Sequence, residues 1–532
     1  MLRTLIARYL DRITDEREFD SPFIATLAAE GFSEVHFLHG ITEFGKDFVA
    51  KKAAESRLYQ WMFQSKAGDI GAAEWRVVKG QLLEAITSTL GHPNIDPSLP
   101  RNVVLVLTGR LRGTAQIDFG DFRQYVRTTF PDRDLGLWDR ETLVDLLEKH
   151  GPEQIYSAEN IGAYGSFLRL YGDILSRSAV VSDIEQHYAI RLATGETPEK
   201  RIAITAIEAS ILVDAAKQSG EPYLALYCLL CILRAALYEM QEGASLDSLL
   251  AEASVSIGAQ AWTAANAYLA LQGAPGGMAA AMTGGGAFVT YPVTCARLIE
   301  SLALAYAFGV GDAAIGAAEK LQEIVSSEGG AAHSLSDRYA VGIVSAIRVL
   351  KETGKDTTAR EFLKRCAIWL IDRYWADGDG IASTSATEAE EVRQLLGGPF
   401  AAIEVKRTAA SFLACALMDS ACFLQDADLF LGLRHDIIGA GIAPNYYQVQ
   451  DTRGQFVFDA ADVVRMPNIE FAATLLPFEE FRYGEHLDGE PRAFLLQPSV
   501  PNGVYLAVSL LLRDRYFPTT WTHPVRQAPS NS

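Results

Sequence analysis

The sequence predicts an α/β domain in the first 150 residues, followed by a large all-α region of helical hairpins. Two apolar runs near FGKDFVAKK and LYQWMFQSK have the length and composition of neighbouring strands. A third run, NVVLVLTG, is continuous and Val-rich, which is typical of a strand buried in a sheet. From about Pro152 onward, apolar residues recur at intervals of three and four, which is the period of amphipathic helices.

The first predicted element of the α/β domain is a helix in FDSPFIATLAAEGF. Phe19, Phe23 and Leu27 recur at helical spacing, and Gly31 is a typical helix stop. Asp20 lies on this helix. The sequence therefore predicts an acidic side chain close to the start of an otherwise apolar helix.

A strand hairpin is predicted next, with residues 53–57 as its turn. Side chains alternate along a strand, so Gln64 and Lys66 share one face with Met62, and antiparallel pairing brings Asp47 close to both. Grouping a carboxylate, an amide and an ammonium at a sheet edge costs desolvation energy unless a bound ligand compensates for it. Mg²⁺, which needs few protein oxygens, would be such a ligand. A salt bridge between Asp47 and Lys66, worth ~0–1 kcal/mol, is the simpler alternative.

The rest of the domain is predicted to alternate helices and strands. A helix in GAAEWRVVKGQLLEAI precedes the buried strand NVVLVLTG, and a later short strand ends at Trp138. Asp139 then has the residue type and position of a helix N-cap. The predicted order is helix, three strands, helix, strand, helix, strand and helix.

This order and these residues resemble the PD-(D/E)XK nuclease superfamily, and most closely its Mrr-like restriction endonuclease branch. The resemblance covers Phe19 to about Lys149. Phe19-Asp20 matches the aromatic and acidic pair on the first helix of the family, and Gly45-Lys46-Asp47 matches the turn that leads to a strand aspartate. Gln64-Ser65-Lys66 matches the Q-x-K signature on the following strand. Two positions depart from the family: its helix acid is more often Glu, and Lys46 replaces the second of two usual glycines.

The resemblance implies a restriction-endonuclease-like fold, with a central mixed sheet flanked by helices, and metal-dependent hydrolysis of phosphodiester bonds in DNA. It implies that Asp47, Gln64 and Lys66 are catalytic. It also implies that Asp20, Asp47 and the backbone carbonyl of Ser65 hold Mg²⁺ or Mn²⁺. Lys66 would orient the attacking water, and Gln64 occupies a position that is acidic in other members, so metal affinity is expected to be lower. The resemblance to this family also suggests a homodimer.

The distribution of charge restricts where nucleic acid could bind. The chain of 532 residues has a formal net charge of −19, but residues 1–150 hold 19 Lys and Arg against 22 Asp and Glu, net −3, which leaves −16 for the rest. An acidic helical region is poorly suited to phosphate backbones and is predicted to bind a protein partner or trigger. In the first domain, five arginines are candidates for contacts with backbone phosphate, and the equal alternative is that they are scattered surface residues. They are Arg101, Arg110, Arg112, Arg123 and Arg127.

The domain prediction assigns residues 1–151 to the nuclease-like domain, 152–517 to an all-helical sensor or interaction region, and 518–532 to a disordered tail. A Gly-rich stretch, Gly273 to Pro292, is predicted to interrupt the helices as a linker or lid. Cys228 and Cys231 lie in an apolar helix and are predicted to be core cysteines rather than metal ligands. Six cysteines without a regular framework, no membrane span and no convincing signal peptide predict a cytoplasmic protein.

Two classes of function follow. In the first, the chain is a bacterial restriction or anti-phage defence effector whose helical region regulates a nuclease. In the second, the nuclease-like fold is a non-catalytic scaffold for protein interactions. Cleavage of RNA is a third possibility, because the metal chemistry is the same. The presence of both Asp47 and Lys66 favours the first class.

Overall fold

The structure is a computed structural model that describes most of the chain. The described ranges are 2–38, 47–54, 57–88, 95–150, 158–192, 197–240, 247–282, 287–377 and 410–444, together with residues 503, 504, 506, 507 and 510. The predicted tail at 518–532 lies outside the described residues, as does the end of the predicted helical region.

The N-terminal part follows the predicted order, with an additional helix and a 3₁₀ helix, η1, before the first predicted element. Its elements are α1 (Leu2–Arg12), η1 (Glu16–Phe19), α2 (Asp20–Ala29), β1 (Ser33–Phe37), β2 (Phe48–Ala54), β3 (Arg57–Lys66), α3 (Ala72–Thr87), β4 (Arg101–Leu107), α4 (Thr114–Thr129), β5 (Arg133–Trp138) and α5 (Arg140–Lys149).

The five strands form one mixed sheet in the order β1-β2-β3-β4-β5. β2 is antiparallel to both β1 and β3, and Phe48 pairs with Phe63. β3, β4 and β5 are parallel, with Gln64 opposite Leu105. The predicted mixed sheet flanked by helices is thus confirmed at the level of architecture.

The alternation of side chains along β3 gives the sheet two apolar faces. Met62 belongs to a buried cluster that includes Trp75 of α3 and Phe119 of α4. Its neighbour Phe63 points the other way and packs edge-on against Phe23 of α2, with ring centroids 5.4 Å apart. Both faces of β3 are therefore covered, and this burial fixes its register because a slip by one residue would exchange the two faces.

Local signals in the sequence set the ends of several elements. Gly31 has a φ of +82°, a value that favours glycine, and it follows α2 as predicted. The Asp139 side chain accepts a hydrogen bond from the backbone N–H of Thr142, which confirms the predicted N-cap. The predicted hairpin also forms, but its turn is shorter than residues 53–57, because Ala54 pairs with Arg57 at the ends of the strands.

The remaining elements are mostly helices. They are α6 (Ala158–Leu175), α7 (Val181–Leu192), α8 (Pro198–Ser219), α9 (Pro222–Met240), α10 (Asp247–Gln272), α11 (Met278–Ala281), α12 (Ala287–Phe308), α13 (Asp312–Ser327), 3₁₀ turns at Gly329–Ala332 and Asp337–Tyr339, α14 (Ala340–Glu352), α15 (Asp356–Asp377), β6 (Ala410–Ser411), α16 (Phe412–Phe423), α17 (Ala427–Gly439) and β7 (Ala443–Pro444).

The chain divides into two compact units. The first comprises Met1–Ser178, Ile190–Ser219 and Cys231–Ser256, so it holds the sheet together with helical segments beyond residue 151. The second comprises Ala179–Ala189, Gly220–Leu230 and Ile257 onward. In this second unit α14 and α15 form a helical hairpin of the predicted kind, in which Lys351 pairs with Asp356 at 3.0 Å.

The predicted Gly-rich interruption at Gly273 to Pro292 is shorter than expected. α11 forms inside it, and α12 begins at Ala287, so that Pro292 lies within a helix. Val289 and Val293 are both buried and are four residues apart, which shows that helical apolar spacing continues through this proline. Residues 283–286 lie outside the described part of the chain.

Cys228 and Cys231 are buried within α9, as predicted for core cysteines. Among the described residues, no helix combines the length and apolar character needed to cross a membrane.

Candidate active site at the end of strand β3

Asp47 is held where β2 begins, beside the last residues of β3. Its backbone N–H donates to the carbonyl of Phe63 at 2.8 Å, and its carbonyl accepts from the N–H of Leu38 at 2.7 Å. Its carboxylate oxygen Oδ2 accepts one hydrogen bond from Gln64 Nε2 at 2.8 Å and one from the backbone N–H of Ser65 at 2.7 Å. The predicted proximity of Asp47 and Gln64 is confirmed. Gly45 and Lys46, which precede Asp47 in the family resemblance, lie outside the described residues.

Two buried oxygens beside Asp47 have no hydrogen-bond partner among the described residues. They are Gln64 Oε1 and Ser65 Oγ, on residues that are 2% and 1% exposed. In a strand, the N–H and C=O of one residue point to the same side, so the Ser65 carbonyl is directed toward the same strand edge as its N–H, where Asp47 lies. This edge therefore combines a carboxylate with oxygens that can accept further ligands.

Lys66 has a partner that the sequence did not indicate. Its ammonium nitrogen lies 2.9 Å from Glu16 Oε2 on η1. Lys66 therefore pairs with Glu16, whereas the simpler alternative from the sequence was a salt bridge with Asp47.

Asp20 is 3% exposed at the start of α2. Burial, followed by the negative charges of Glu252, Asp47 and Glu16, raises its pKa to about 9. Desolvation thus outweighs the helix N-terminus, which ordinarily favours the ionised carboxylate. The carboxyl groups predicted from separate parts of the sequence, Asp20 and Asp47, lie close enough to interact electrostatically.

Glu252 is, after Glu16, the second acidic residue near this site that the sequence did not indicate. It lies on α10, is 3% exposed, and its Oε1 has no hydrogen-bond partner among the described residues. Burial is the main cause that raises its pKa to about 7, against an opposing, smaller effect of the Arg17 charge. A glutamate about 200 residues from the β3 signature carries no local signal that would connect it with Asp20.

The donor atoms at this site fit a hard divalent cation in kind. Mg²⁺ takes oxygen ligands, often only one or two protein carboxylates, and keeps several waters. Asp47, the Ser65 carbonyl and Asp20 are such donors, and the unpartnered Gln64 Oε1 is a further one. Within the described ranges, no three His, Cys, Asp or Glu side chains are grouped closely enough to hold a metal.

The five arginines considered as phosphate contacts have protein partners. Arg101 is buried and donates to the backbone carbonyls of Ala85, Ile86 and Ser88 at 2.8–3.3 Å, so its role is structural. The other four lie at the surface, with Arg123 half-buried, and all are paired with acids: Arg110 with Glu141, Arg112 with Asp69, and Arg123 and Arg127 with Asp134.

The raised pKa of Glu252 predicts a pH-dependent loss of stability. Its folded pKa of about 7 exceeds the usual 4.5, so its stabilising contribution is complete below about pH 4.5 and is lost as pH rises through 7. We expect the free energy of unfolding of wild type, relative to Glu252→Gln, to fall by on the order of 2–3 kcal/mol between pH 4.5 and 8. Urea unfolding with EDTA present measures this difference.

The control for this prediction is Glu361→Gln, because Glu361 is 64% exposed on α15. It should retain the wild-type pH dependence. An identical pH dependence for wild type and Glu252→Gln would contradict the prediction.

Comparisons of the chain with known protein families, with curated proteins and with solved structures found no match.

Proposed function

We propose that the chain is a metal-dependent endonuclease that hydrolyses phosphodiester bonds in DNA, with its active site at the end of β3. The observation that supports this proposal most strongly is the arrangement of Asp47, Gln64 and Ser65. Asp47, where β2 begins, accepts hydrogen bonds from Gln64 and Ser65 of β3, and Lys66 follows directly after these two residues. The sequence resemblance to PD-(D/E)XK nucleases assigns catalytic chemistry to these same residues.

The proposed roles of the residues follow from their contacts. Asp47, Asp20 and the Ser65 carbonyl would hold Mg²⁺ or Mn²⁺. When bound, such a cation supplies charge stabilisation at the phosphate and a more acidic water. The Gln64 amide fixes the orientation of the Asp47 carboxylate through its N–H, while its buried Oε1 can accept a hydrogen bond from a water. Because Gln64 is neutral, it adds no negative charge for binding the cation.

Lys66 has the charge required at the reacting phosphate. Its ammonium can orient the attacking water and stabilise the negative charge that builds on the phosphate oxygens. Attack by this water forms a new P–O bond while the bond to the leaving oxygen breaks. The attacking water releases one proton to solvent, and the leaving oxygen takes one proton from solvent. The products are a phosphate monoester end and a hydroxyl end.

The wider biological role is part of the same proposal. We assign the chain to bacterial restriction or anti-phage defence, acting in the cytoplasm, with the acidic helical region responding to a protein partner or trigger. A homodimer would supply two sites for the two strands of a duplex. The alternative is a non-catalytic scaffold for protein interactions.

The test is cleavage of end-labelled duplex DNA and of RNA of the same sequence by the full-length protein. We expect DNA cleavage with Mg²⁺ or Mn²⁺, and none with EDTA. Cleavage of RNA alone would replace DNA by RNA as the substrate. A folded protein that cuts neither substrate would leave the scaffold alternative.

A further inference from the structure

The 3₁₀ helix η1 places an acid on the proposed catalytic lysine. Glu16 Oε2 lies 2.9 Å from Lys66 Nζ, and the two side chains are 40% and 24% exposed. An ion pair that solvent reaches from both sides contributes little to stability. The pair can therefore exchange Glu16 for another oxyanion without disturbing the fold.

Several contacts hold η1 in this position. The Asp15 side chain caps it by accepting a hydrogen bond from the backbone N–H of Arg17 at 3.1 Å. The Tyr9 hydroxyl donates to the Glu18 carbonyl at 2.7 Å. At the other side of η1, the Glu18 carboxylate pairs with Lys217 of α8 at 2.7 Å. All of these residues belong to the first compact unit.

The contacts of η1 with α8 extend beyond one ion pair. Arg12, just before η1, pairs with Asp214 one turn before Lys217, at 2.7 Å. The neighbouring helix α2 packs along α8 as well. A shift of α8 would therefore be transmitted to η1, and with it to the acid that holds Lys66.

We propose that Glu16 is an autoinhibitory residue, which occupies Lys66 until a backbone phosphate of the nucleic acid displaces it, and that α8 sets this inhibition through Lys217. This inference rests on the proposed function, because it assumes that Lys66 meets phosphate. A carboxylate and a phosphodiester are both oxyanions that a lysine ammonium binds as a point charge. The Glu16 carboxylate competes for the ammonium and also repels the incoming phosphate.

The charged groups around the pair are consistent with this competition. Asp20 and Asp47 are the other carboxyl groups of the site, and Glu16 adds a negative charge near them. Lys66 is the cation that Glu16 neutralises. Removing the Glu16 charge should therefore strengthen the binding of an anionic ligand in two ways. It releases the Lys66 ammonium, and it reduces the electrostatic repulsion of the ligand.

The test measures binding of a fluorescent duplex DNA to the full-length protein by anisotropy, with EDTA present so that binding is separated from cleavage. We expect Glu16→Gln to bind about fivefold more tightly than wild type. Lys66→Ala should bind more weakly, and adding Glu16→Gln to Lys66→Ala should give a much smaller gain. Asp118→Asn, which removes an exposed acid on α4, controls for the general loss of negative charge and should leave binding within about twofold.

Lys217→Gln tests the connection to α8. We expect it to tighten binding in the same direction as Glu16→Gln, because Glu18 loses its partner and η1 is held less firmly. Unchanged binding by Lys217→Gln would overturn the role of α8.

The outcomes separate this inference from the proposed function. If wild type cleaves DNA with Mg²⁺ but Glu16→Gln binds no more tightly than wild type, the autoinhibitory role is overturned and the nuclease stands. If the gain from Glu16→Gln is as large in the Lys66→Ala background, the effect does not act through Lys66 and the inference also fails. If wild type cleaves no nucleic acid, the proposed function fails and this inference fails with it.

Discussion

Replacing Asp47 by asparagine is expected to reduce metal-dependent DNA cleavage by about 100- to 1000-fold, the range found when a group that stabilises transition-state charge is removed. Asparagine keeps the shape and an oxygen that can accept from Ser65 N–H, but it lacks the negative charge needed to bind a divalent cation. Lys66→Ala should cause a loss of similar size, because it removes the positive charge at the phosphate. Initial rates on a supercoiled plasmid measure both effects.

Two further measurements show whether these losses come from the site itself. Asp47→Asn should need a higher Mg²⁺ concentration for half-maximal rate, whereas Lys66→Ala should mainly lower the maximal rate. Circular dichroism and urea unfolding should show that both variants are folded. Cleavage at the wild-type rate by either folded variant would contradict the assigned roles.

Glu208→Gln is expected to lower the free energy of unfolding by about 3–5 kcal/mol. Arg191 and Glu208 form a bidentate ion pair with both side chains fully buried, with Nε–Oε2 and Nη2–Oε1 distances of 3.0 and 2.5 Å. Glutamine retains the volume of the side chain but removes the negative charge that faces the buried guanidinium. A change of this size is a large part of the typical stability of a protein.

The matched control is Glu361→Gln, which alters an exposed ion pair with Lys364 at 2.9 Å. Its effect should be below about 0.5 kcal/mol, because solvent screens the pair. Urea denaturation measures both variants. A loss below about 1 kcal/mol for Glu208→Gln would show that the buried pair contributes no more than a surface one.

Local patterns were sufficient to predict the sheet and the helices from α2 onward in the first domain, but not α1 or η1. The alternation of Met62, Phe63 and Gln64 indicated a strand with two different faces, and the structure buries those faces against different helices. Asp139 and Gly31 marked helix ends through their intrinsic capping and φ preferences. Pro292 was misleading, because a proline and neighbouring glycines suggested an interruption that buried valines override.

The candidate site was only partly predictable. Asp47 and Gln64 are joined by a short hairpin, so their proximity followed from strand pairing alone. Glu16 lies 50 residues from Lys66, on a 3₁₀ helix that no periodic pattern in the sequence predicts. Glu252 approaches Asp20 only through the packing of helices distant in sequence. Such contacts depend on tertiary structure, which residue spacing does not encode.

The measurement that tests the central claim most directly is cleavage of a supercoiled plasmid by the full-length protein, with Mg²⁺ and with EDTA, beside Asp47→Asn. The proposed site predicts nicked or linear DNA only for wild type with Mg²⁺. No cleavage by folded wild-type protein under either condition, or equal cleavage by Asp47→Asn, would contradict a nuclease site at the end of β3.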